Sequence, residues 1–135
     1  MLACALPVLF LVAPAEARKH KRAPGVALDT GYISALAAAD RFLTAWQNND
    51  LETGVLLLTD RARHQKSDLA MTDFFRGDGM RSFEIALGYR VRTGRYAYPV
   101  ALVTATQDGR RVRRRTSELV MAGTASGEWA VDKLP

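Results

Sequence analysis

Residue types that commonly carry chemistry are scarce in this chain of 135 residues. Cys4 is the only cysteine and lies in the N-terminal apolar run, so we expect no disulfide and no thiol chemistry in the rest of the chain. Beyond the N-terminal region the only histidine is His64, which we predict in a loop without partners at ligand spacing. No glycine-rich phosphate loop and no Ser-His-Asp grouping is present. We therefore predict no metal site, no cofactor and no recognisable catalytic residue.

The sequence also lacks a hydrophobic run that comfortably spans a membrane. Residues 1–17 are almost wholly apolar and contain no Lys or Arg, but a membrane helix needs about 20 residues. The run ends in Ala15-Glu16-Ala17, the small-x-small pattern of a secretory cleavage site, and a basic stretch follows from Arg18. We predict a signal peptide over residues 1–17 and an exported protein, periplasmic or secreted, cleaved after Ala17. Most of the apolar run follows Cys4, which argues against lipoprotein processing.

Positive charge is in excess, with 19 Lys and Arg against 14 Asp and Glu, for a net charge of +5. Cleavage after Ala17 would remove Glu16 and no cation, which raises the net charge by one. A basic exported protein suits anionic surfaces or ligands, although solubility alone also explains such a balance. We expect no nucleic-acid partner, because export and the lack of aromatic residues among the outer arginines both disfavour one.

The chain has room for one domain. Residues 18–29 have no periodic apolar pattern and are predicted to be a basic disordered linker, so the domain covers residues 30–135. In its first half, apolar residues recur every three or four positions, which indicates helices. We predict a helix from near Thr30 to the Asn48-Asn49 turn, with Asp29 or Thr30 as its N-cap, a second over residues 51–58, and a third from Ser67.

The second half alternates with a period of two, which is typical of half-buried strands. We predict four strands: one from Phe83 through Val91, one over residues 95–107, one over 110–122 and one over 128–134. Thr93-Gly94 and Asp108-Gly109 supply the hairpin turns. Three helices followed by a four-stranded antiparallel meander is an α+β plan, with the helices on one face of a curved sheet.

Two-residue turns fix which side chains lie opposite each other. The turn at Thr93-Gly94 predicts four apolar pairs on one face: Val91 with Tyr96, Tyr89 with Tyr98, Leu87 with Val100, and Ile85 with Leu102. The turn at Asp108-Gly109 adds Met121, Leu119, Ser117, Arg115 and Arg113 to that face. Pro99 opens an alternative, because a bulge there would flip the following residues and send Arg113 and Arg115 to solvent.

Two segments carry a family pattern: the helix Ala38-Ala39-Asp40-Arg41-Phe42-Leu43-Thr44-Ala45-Trp46 with its Asn49-Asp50 turn, and the closing Glu128-Trp129-Ala130-Val131-Asp132-Lys133-Leu134. Together they resemble the nuclear transport factor 2-like superfamily, which includes SnoaL-like cyclases and ketosteroid isomerases. The resemblance covers residues 30–135 and implies a cone-shaped, cystatin-like roll. It also implies a cavity inside the cone and, in many members, a homodimer formed through the outer sheet face.

The resemblance also implies a test for enzyme activity. The family's best-known chemistry uses a carboxylate general base and an oxyanion hole made by a Tyr and a protonated Asp. Here the first helix offers Phe42 and Trp46 on its apolar face, and Glu84 and Glu118 are predicted to point outward. No base is therefore predicted within reach of a substrate.

Two groups of residues are candidates for binding. The first would line a cavity for a small apolar or anionic ligand and consists of Trp46, Phe74, Tyr89, Tyr96, Tyr98, Arg113 and Arg115. The tyrosines in it are better explained as core residues with hydroxyl groups near the rim. The second group would form a basic surface, or a charged guard against aggregation, and consists of Arg90, Arg92, Arg95, Arg111 and Arg114.

From these features we predict an exported, non-catalytic domain that binds a small ligand or a partner. One alternative is an enzyme of the SnoaL or ketosteroid isomerase type with an unrecognised acid–base pair. The other is an envelope-associated module that binds anionic surfaces through its arginines. A hollow cone would favour ligand binding, and a buried carboxylate inside it would favour the enzyme.

Overall fold

The computed structural model describes residues 29–135, so the predicted signal peptide and all but the last residue of the predicted linker lie outside the described residues. Four helices precede a five-stranded antiparallel sheet. The helices are α1 Thr30–Gln47, α2 Leu51–Leu56, α3 Asp60–Gln65 and α4 Asp68–Phe75. The strands are β1 Met80–Ile85, β2 Tyr89–Arg92, β3 Arg95–Ala105, β4 Val112–Gly123 and β5 Trp129–Lys133. The predicted α+β class is confirmed, and no helix in residues 29–135 is long and apolar enough to cross a membrane.

The long helix α1 forms the centre of the helical layer. Asp29 caps it by accepting a hydrogen bond of 2.6 Å from the main-chain N–H of Tyr32, as the sequence predicts. Its buried stripe includes Ala35, Phe42 and Trp46, which pack against the inner face of the sheet together with the other core residues. Because the stripe runs the whole length of the helix, Trp46 reaches one end of the sheet.

The prediction of three helices is wrong, because α3 lies where we predicted a loop containing His64. Thr59 caps α3 by accepting from the main-chain N–H of Ala62 at 3.1 Å. Ala62 is the only buried residue in this six-residue helix, so the segment has no apolar period to recognise. The exposed ring of His64 lies with its Nδ1 2.6 Å from the main-chain oxygen of Asp60.

The sheet has the order β1-β3-β4-β5, and β2 pairs with β3 beside β1. The predicted first strand is therefore two strands, separated at residues 86–88. At this break the N–H of Gly88 donates to the hydroxyl of Tyr32 at 2.9 Å. A Cβ on Gly88 would overlap the ring of Tyr98, so the backbone passes this ring only because the position is glycine.

The predicted pairing of the first hairpin is wrong. Tyr89 lies opposite Ala97, and Ile85 lies opposite Val100, because one irregularity falls between Arg90 and Arg92 and the break at residues 86–88 adds another. Each irregularity shifts the pairing by one residue. The side chains of β2 therefore point to the face opposite to the predicted one, whereas those of β1 point to the predicted face. Leu87, Tyr89 and Val91 are consequently exposed.

The pairing of β3 with β4 follows the turn at Asp108-Gly109 as predicted. Tyr98 lies opposite Leu119, Leu102 opposite Arg115, and Thr104 opposite Arg113, with no irregularity at Pro99. The alternative with a bulge at this proline is wrong. The main-chain oxygen of Pro99 accepts a hydrogen bond from the N–H of Ala86, at the break between β1 and β2. Because the N–H and C=O of a strand residue point to the same side, the N–H that proline lacks would also face this break, where the ladder of hydrogen bonds is already interrupted.

Candidate functional site

An open cavity of about 420 Å³ lies between the end of α1, α4 and the far end of the β3–β4 hairpin. Its apolar wall is formed by Trp46 of α1, Phe74 of α4 and Leu102 of β3. The Trp46 and Phe74 rings lie 6.4 Å apart, and Phe42 stacks behind Phe74 at 6.2 Å. We call this space the inner chamber; the remaining lining residues are Asp73, Arg81, Thr104, Arg113 and Arg115.

Arg81 of β1 is the least expected residue of the inner chamber. Its Nη1 donates to the main-chain oxygens of Trp46 at 2.9 Å and Phe75 at 3.0 Å, and its Nη2 donates to that of Arg76. The guanidinium carbon lies 4.9 Å from the centre of the Trp46 ring, a cation–π contact. Burial lowers the pKa of Arg81, and its Nε is buried without a hydrogen-bond partner among the described residues.

Arg113 and Arg115 project from β4 into the same chamber, because they lie opposite Thr104 and Leu102 on the inner face. Their neighbours on the hairpin behave differently: Arg110 pairs with Asp108 at 3.8 Å and Arg114 with Glu84 at 3.0 Å.

By contrast, Arg81, Arg113 and Arg115 form no ion pair with a carboxylate side chain within residues 29–135. Arg115 donates instead to the main-chain oxygen of Pro135 at 3.2 Å. The chamber therefore joins an apolar wall to three cations that form no ion pair with a carboxylate side chain of the described residues.

A second, larger chamber of about 690 Å³ adjoins the first and shares Arg81, Thr104 and Arg113 with it. We call it the outer chamber. Arg76 at the end of α4 and Arg111 at the hairpin tip contribute two more cations, and the loop of residues 77–79 forms one wall.

Two of the predicted cavity tyrosines lie in the core toward the other end of the sheet. Tyr98 is fully buried and donates to the main-chain oxygen of Tyr32 at 2.7 Å, and burial raises its pKa. Tyr96 donates to both carboxylate oxygens of Asp29 at 2.7 and 2.8 Å, which raises the pKa of Tyr96 and lowers that of Asp29. Neither lines the two chambers, so their contacts are those of core aromatics with satisfied hydroxyl groups.

Tyr89 lies on the outer face of the sheet because of the turned-over β2. Its hydroxyl donates to Oε2 of Glu118 at 2.7 Å, and this hydrogen bond raises its pKa. It does not line the inner chamber.

The predicted basic surface does not form one patch. Arg95 is bonded to Asp132, and Arg114 to Glu84. Arg90 and Arg92 lie at the β2–β3 turn, whereas Arg111 lies at the opposite end of β3. The eleven residues of that strand separate these two ends by about 33 Å.

Sequence reasoning missed Arg81 and Asp73 as lining residues. The signal for Arg81 was available, since Arg81, Phe83 and Ile85 continue one alternation on the inner face. The predicted first strand begins at Phe83, where the apolar residues begin, and therefore does not include Arg81.

The chambers offer little for metal or acid–base chemistry. No group of three or more potential metal ligands occurs in the described part of the chain. Asp73 and Asp78 are the carboxylates among the lining residues, and both are exposed. No tyrosine lines either chamber, so the Tyr–Asp oxyanion hole that the family resemblance implies has no counterpart here.

Solved structures with the same fold are similar to most of this chain. A ketosteroid isomerase-like protein from Erwinia carotovora atroseptica aligns with a TM-score of 0.56 at 14% identity, over 76% of this chain and 92% of its own. An uncharacterized Caulobacter vibrioides protein with a cystatin-like fold aligns with a TM-score of 0.54 at 20% identity, over 76% and 85%. The chain has the ketosteroid isomerase-like fold.

A third structure with the ketosteroid isomerase-like fold contains a ligand. It is a Mycobacterium tuberculosis protein in complex with estradiol-17beta-hemisuccinate, with a TM-score of 0.50 at 14% identity over 72% of this chain and 88% of its own. No protein-family model and no curated protein matches the sequence. The cystatin-like fold that the resemblance implies is thus confirmed.

Proposed function

We propose that the protein binds, without transforming it, a small molecule that joins a flat apolar body to an anionic group. The observation that carries this proposal is the inner chamber itself. Three guanidinium groups that form no ion pair with a carboxylate side chain of the described residues line it together with Trp46, Phe74 and Leu102.

The apolar wall defines the body of the ligand. A volume of about 420 Å³ lies in the ordinary range for small-molecule sites, which are mostly apolar with a few polar groups that fix orientation. Phe74 is half-buried and presents ring surface to the chamber, whereas Trp46 is 3% exposed and has the guanidinium of Arg81 over its ring. Flat ring systems stack on an aromatic surface better than branched chains do.

The cations define the other end. A guanidinium keeps its charge even when burial lowers its pKa, and Arg81 is satisfied only by main-chain oxygens. A carboxylate or phosphate in the chamber would accept hydrogen bonds from Arg81, Arg113 and Arg115, and hydrogen bonds between two charged groups are stronger than those between neutral groups.

The comparison with the Mycobacterium tuberculosis protein supports the same class of ligand. Its bound estradiol-17beta-hemisuccinate joins an apolar ring system to a carboxylate. The fold therefore accommodates such a molecule in at least one protein, and the lining of the inner chamber supplies matching surfaces in this one.

The test uses the fluorescence of Trp46. Trp129 packs against Tyr96 in another part of the core, so a Trp129→Phe background isolates the signal of the chamber. Naphthalene-1-acetate and its uncharged amide are a matched pair of probes. We expect saturable quenching by both and at least tenfold tighter binding of the acid, which corresponds to about 1.4 kcal/mol.

Arg115→Gln should remove most of that preference, whereas Arg92→Gln, at the opposite end of the sheet, should leave it unchanged. Equal binding of acid and amide, or no saturable quenching by either, would refute the proposal.

The enzyme alternative depends on Asp73, the carboxylate of the inner chamber. Asp73 is exposed, and it could act as a general base only on a substrate held within hydrogen-bond reach of its carboxylate. Recovery of bound compounds unchanged after long incubation is expected. Conversion that is lost on Asp73→Asn would establish the enzyme instead.

Export is also a proposal, and it is supported only by the signal-peptide pattern of residues 1–17. The extracytoplasmic protein should begin at Arg18 when its N-terminal mass is measured. The alternative of an envelope-bound module is less favoured because the arginines of the predicted basic surface lie at opposite ends of the sheet. Salt-sensitive binding to envelopes that is lost on Arg92→Gln, but not on Arg115→Gln, would support that alternative.

A further inference from the structure

We infer that the ligand is elongated and carries a second anionic group, which lies in the outer chamber between Arg76 and Arg111. This inference rests on the proposed function and extends it. It assigns to the outer chamber a ligand class, amphiphiles with two separated negative charges, rather than a simple aromatic acid.

Continuity of the two chambers is the first support. Arg81, Thr104 and Arg113 line both, so the spaces meet along the inner face of β3 and β4. The outer chamber, at about 690 Å³, is the larger of the two. A short aromatic acid that fills the inner chamber would leave it empty.

The spacing of the cations is the second support. Arg111, Arg113 and Arg115 all line the chambers and follow one another at every second residue of the hairpin. A strand rises about 3.3 Å per residue, so their backbone positions span about 13 Å. The row leads from the hairpin tip toward Trp46 and suits a chain-like ligand lying along it.

The charge balance is the third support. Five arginines and two aspartates, Asp73 and Asp78, line the two chambers together, which leaves three positive charges uncompensated. A single carboxylate would neutralise only one of them. Clustered charges of one sign in a concave surface focus the field and concentrate a ligand of opposite charge.

The loop of residues 77–79 borders the outer chamber. A Cβ on Gly77 would overlap the guanidinium of Arg81, and one on Gly79 would overlap the main-chain oxygen of Ala105. Glycine at both positions therefore lets the loop lie close to the sheet while Arg81 reaches the junction of the chambers.

Two probes with the same ring test the inference. The short probe is naphthalene-1-acetate, and the long one is the same acid extended from the ring by a six-atom chain that ends in phosphate. We expect the long probe to bind at least tenfold tighter. Arg111→Gln and Arg76→Gln should each remove most of this gain and leave the short probe unaffected.

Arg110→Gln is the matched control, because Arg110 is adjacent to Arg111 but pairs with Asp108. It should change neither affinity. If the long probe binds no tighter than the short one, or if Arg111→Gln and Arg110→Gln have the same effect, the inference is overturned while the proposed function stands. Failure of both probes to bind would overturn both. Melting temperatures of all variants show whether each remains folded.

Discussion

At the scale of single residues, Asp132 is a charged side chain that the fold nearly buries, with 5% of its surface exposed. It accepts a hydrogen bond from the hydroxyl of Thr59 at 2.9 Å, is bonded to Arg95, and lies 3.6 Å from the guanidinium of Arg61. Burial alone would raise its pKa, but the hydrogen bonds from Arg95 and Thr59 and the charges of both arginines lower it below the ordinary value of 3.8. The carboxylate therefore ties the start of α3 and the start of β3 to β5.

This lowered pKa makes stability depend on pH in a definite direction. The folded state binds the proton more weakly than the unfolded state, so the contribution of Asp132 is fully present above pH 3.8 and is lost as the pH falls through its folded pKa. We expect Asp132→Asn to lower the free energy of unfolding by about 3 kcal/mol at pH 7, because it leaves Arg95 without its charge partner.

In urea titrations below pH 4, we expect the free energy of unfolding to fall less steeply with pH for the variant than for the unaltered protein. Asp60→Asn is the control, since that carboxylate is exposed and lies 3.9 Å from Arg63; it should change stability by less than about 0.5 kcal/mol. If the free energies of unfolding of Asp132→Asn and of the unaltered protein fell in parallel with pH, the assignment of this pH dependence to Asp132 would be wrong.

At the scale of elements, Arg81 joins two helix ends to the sheet. The last carbonyl groups of a helix have no partner inside it and carry the negative end of the helix dipole. From β1, Arg81 donates to such groups of both α1 and α4. Arg81 therefore holds the ends of α1 and α4 in place beside the inner chamber and also contributes a positive charge to the chamber.

Arg81→Gln should lower the free energy of unfolding by about 2–4 kcal/mol, because several helix-end carbonyls lose a charged donor together. Arg41→Gln, an exposed arginine in α1, should change it by less than about 0.5 kcal/mol. Urea unfolding at neutral pH measures both. Similar small losses for the two variants would show that water replaces the guanidinium without cost.

Elements with a strong pattern could be predicted, and those without one could not. The apolar stripe of α1 predicts the helix, and the turn at Asp108-Gly109 predicts the β3–β4 pairing as far as Pro99. Beyond Pro99 the sequence leaves two pairings open, and the one without a bulge places Arg113 and Arg115 on the inner face. The break at Gly88 had no such signal, because the alternation continues through Leu87, Tyr89 and Val91 although these are 69%, 50% and 49% exposed. Only the contact of Gly88 with Tyr32 and Tyr98 reveals why the strand stops there.

At the scale of the whole molecule, the outer sheet face is not covered by any helix in the described part of the chain. Met80, Ala105 and Val112 lie side by side across three strands on this face, and Met80 and Val112 are 65% and 64% exposed. Glu84 and Arg114 lie farther along the same face. In a two-fold contact each surface meets a copy of itself, so opposite charges on one face can pair across the symmetry axis.

We therefore predict a homodimer through this face, with Met80 and Val112 at its centre. Light scattering during size-exclusion chromatography should give twice the monomer mass at micromolar concentration. Val112→Lys should shift the protein toward the monomer, because it puts two like charges near the two-fold axis and removes apolar area. Leu69→Lys, on exposed α4 in the other layer, should leave the dimer intact. A monomer at about 100 µM for the unaltered protein, or equal effects of the two lysines, would contradict the prediction.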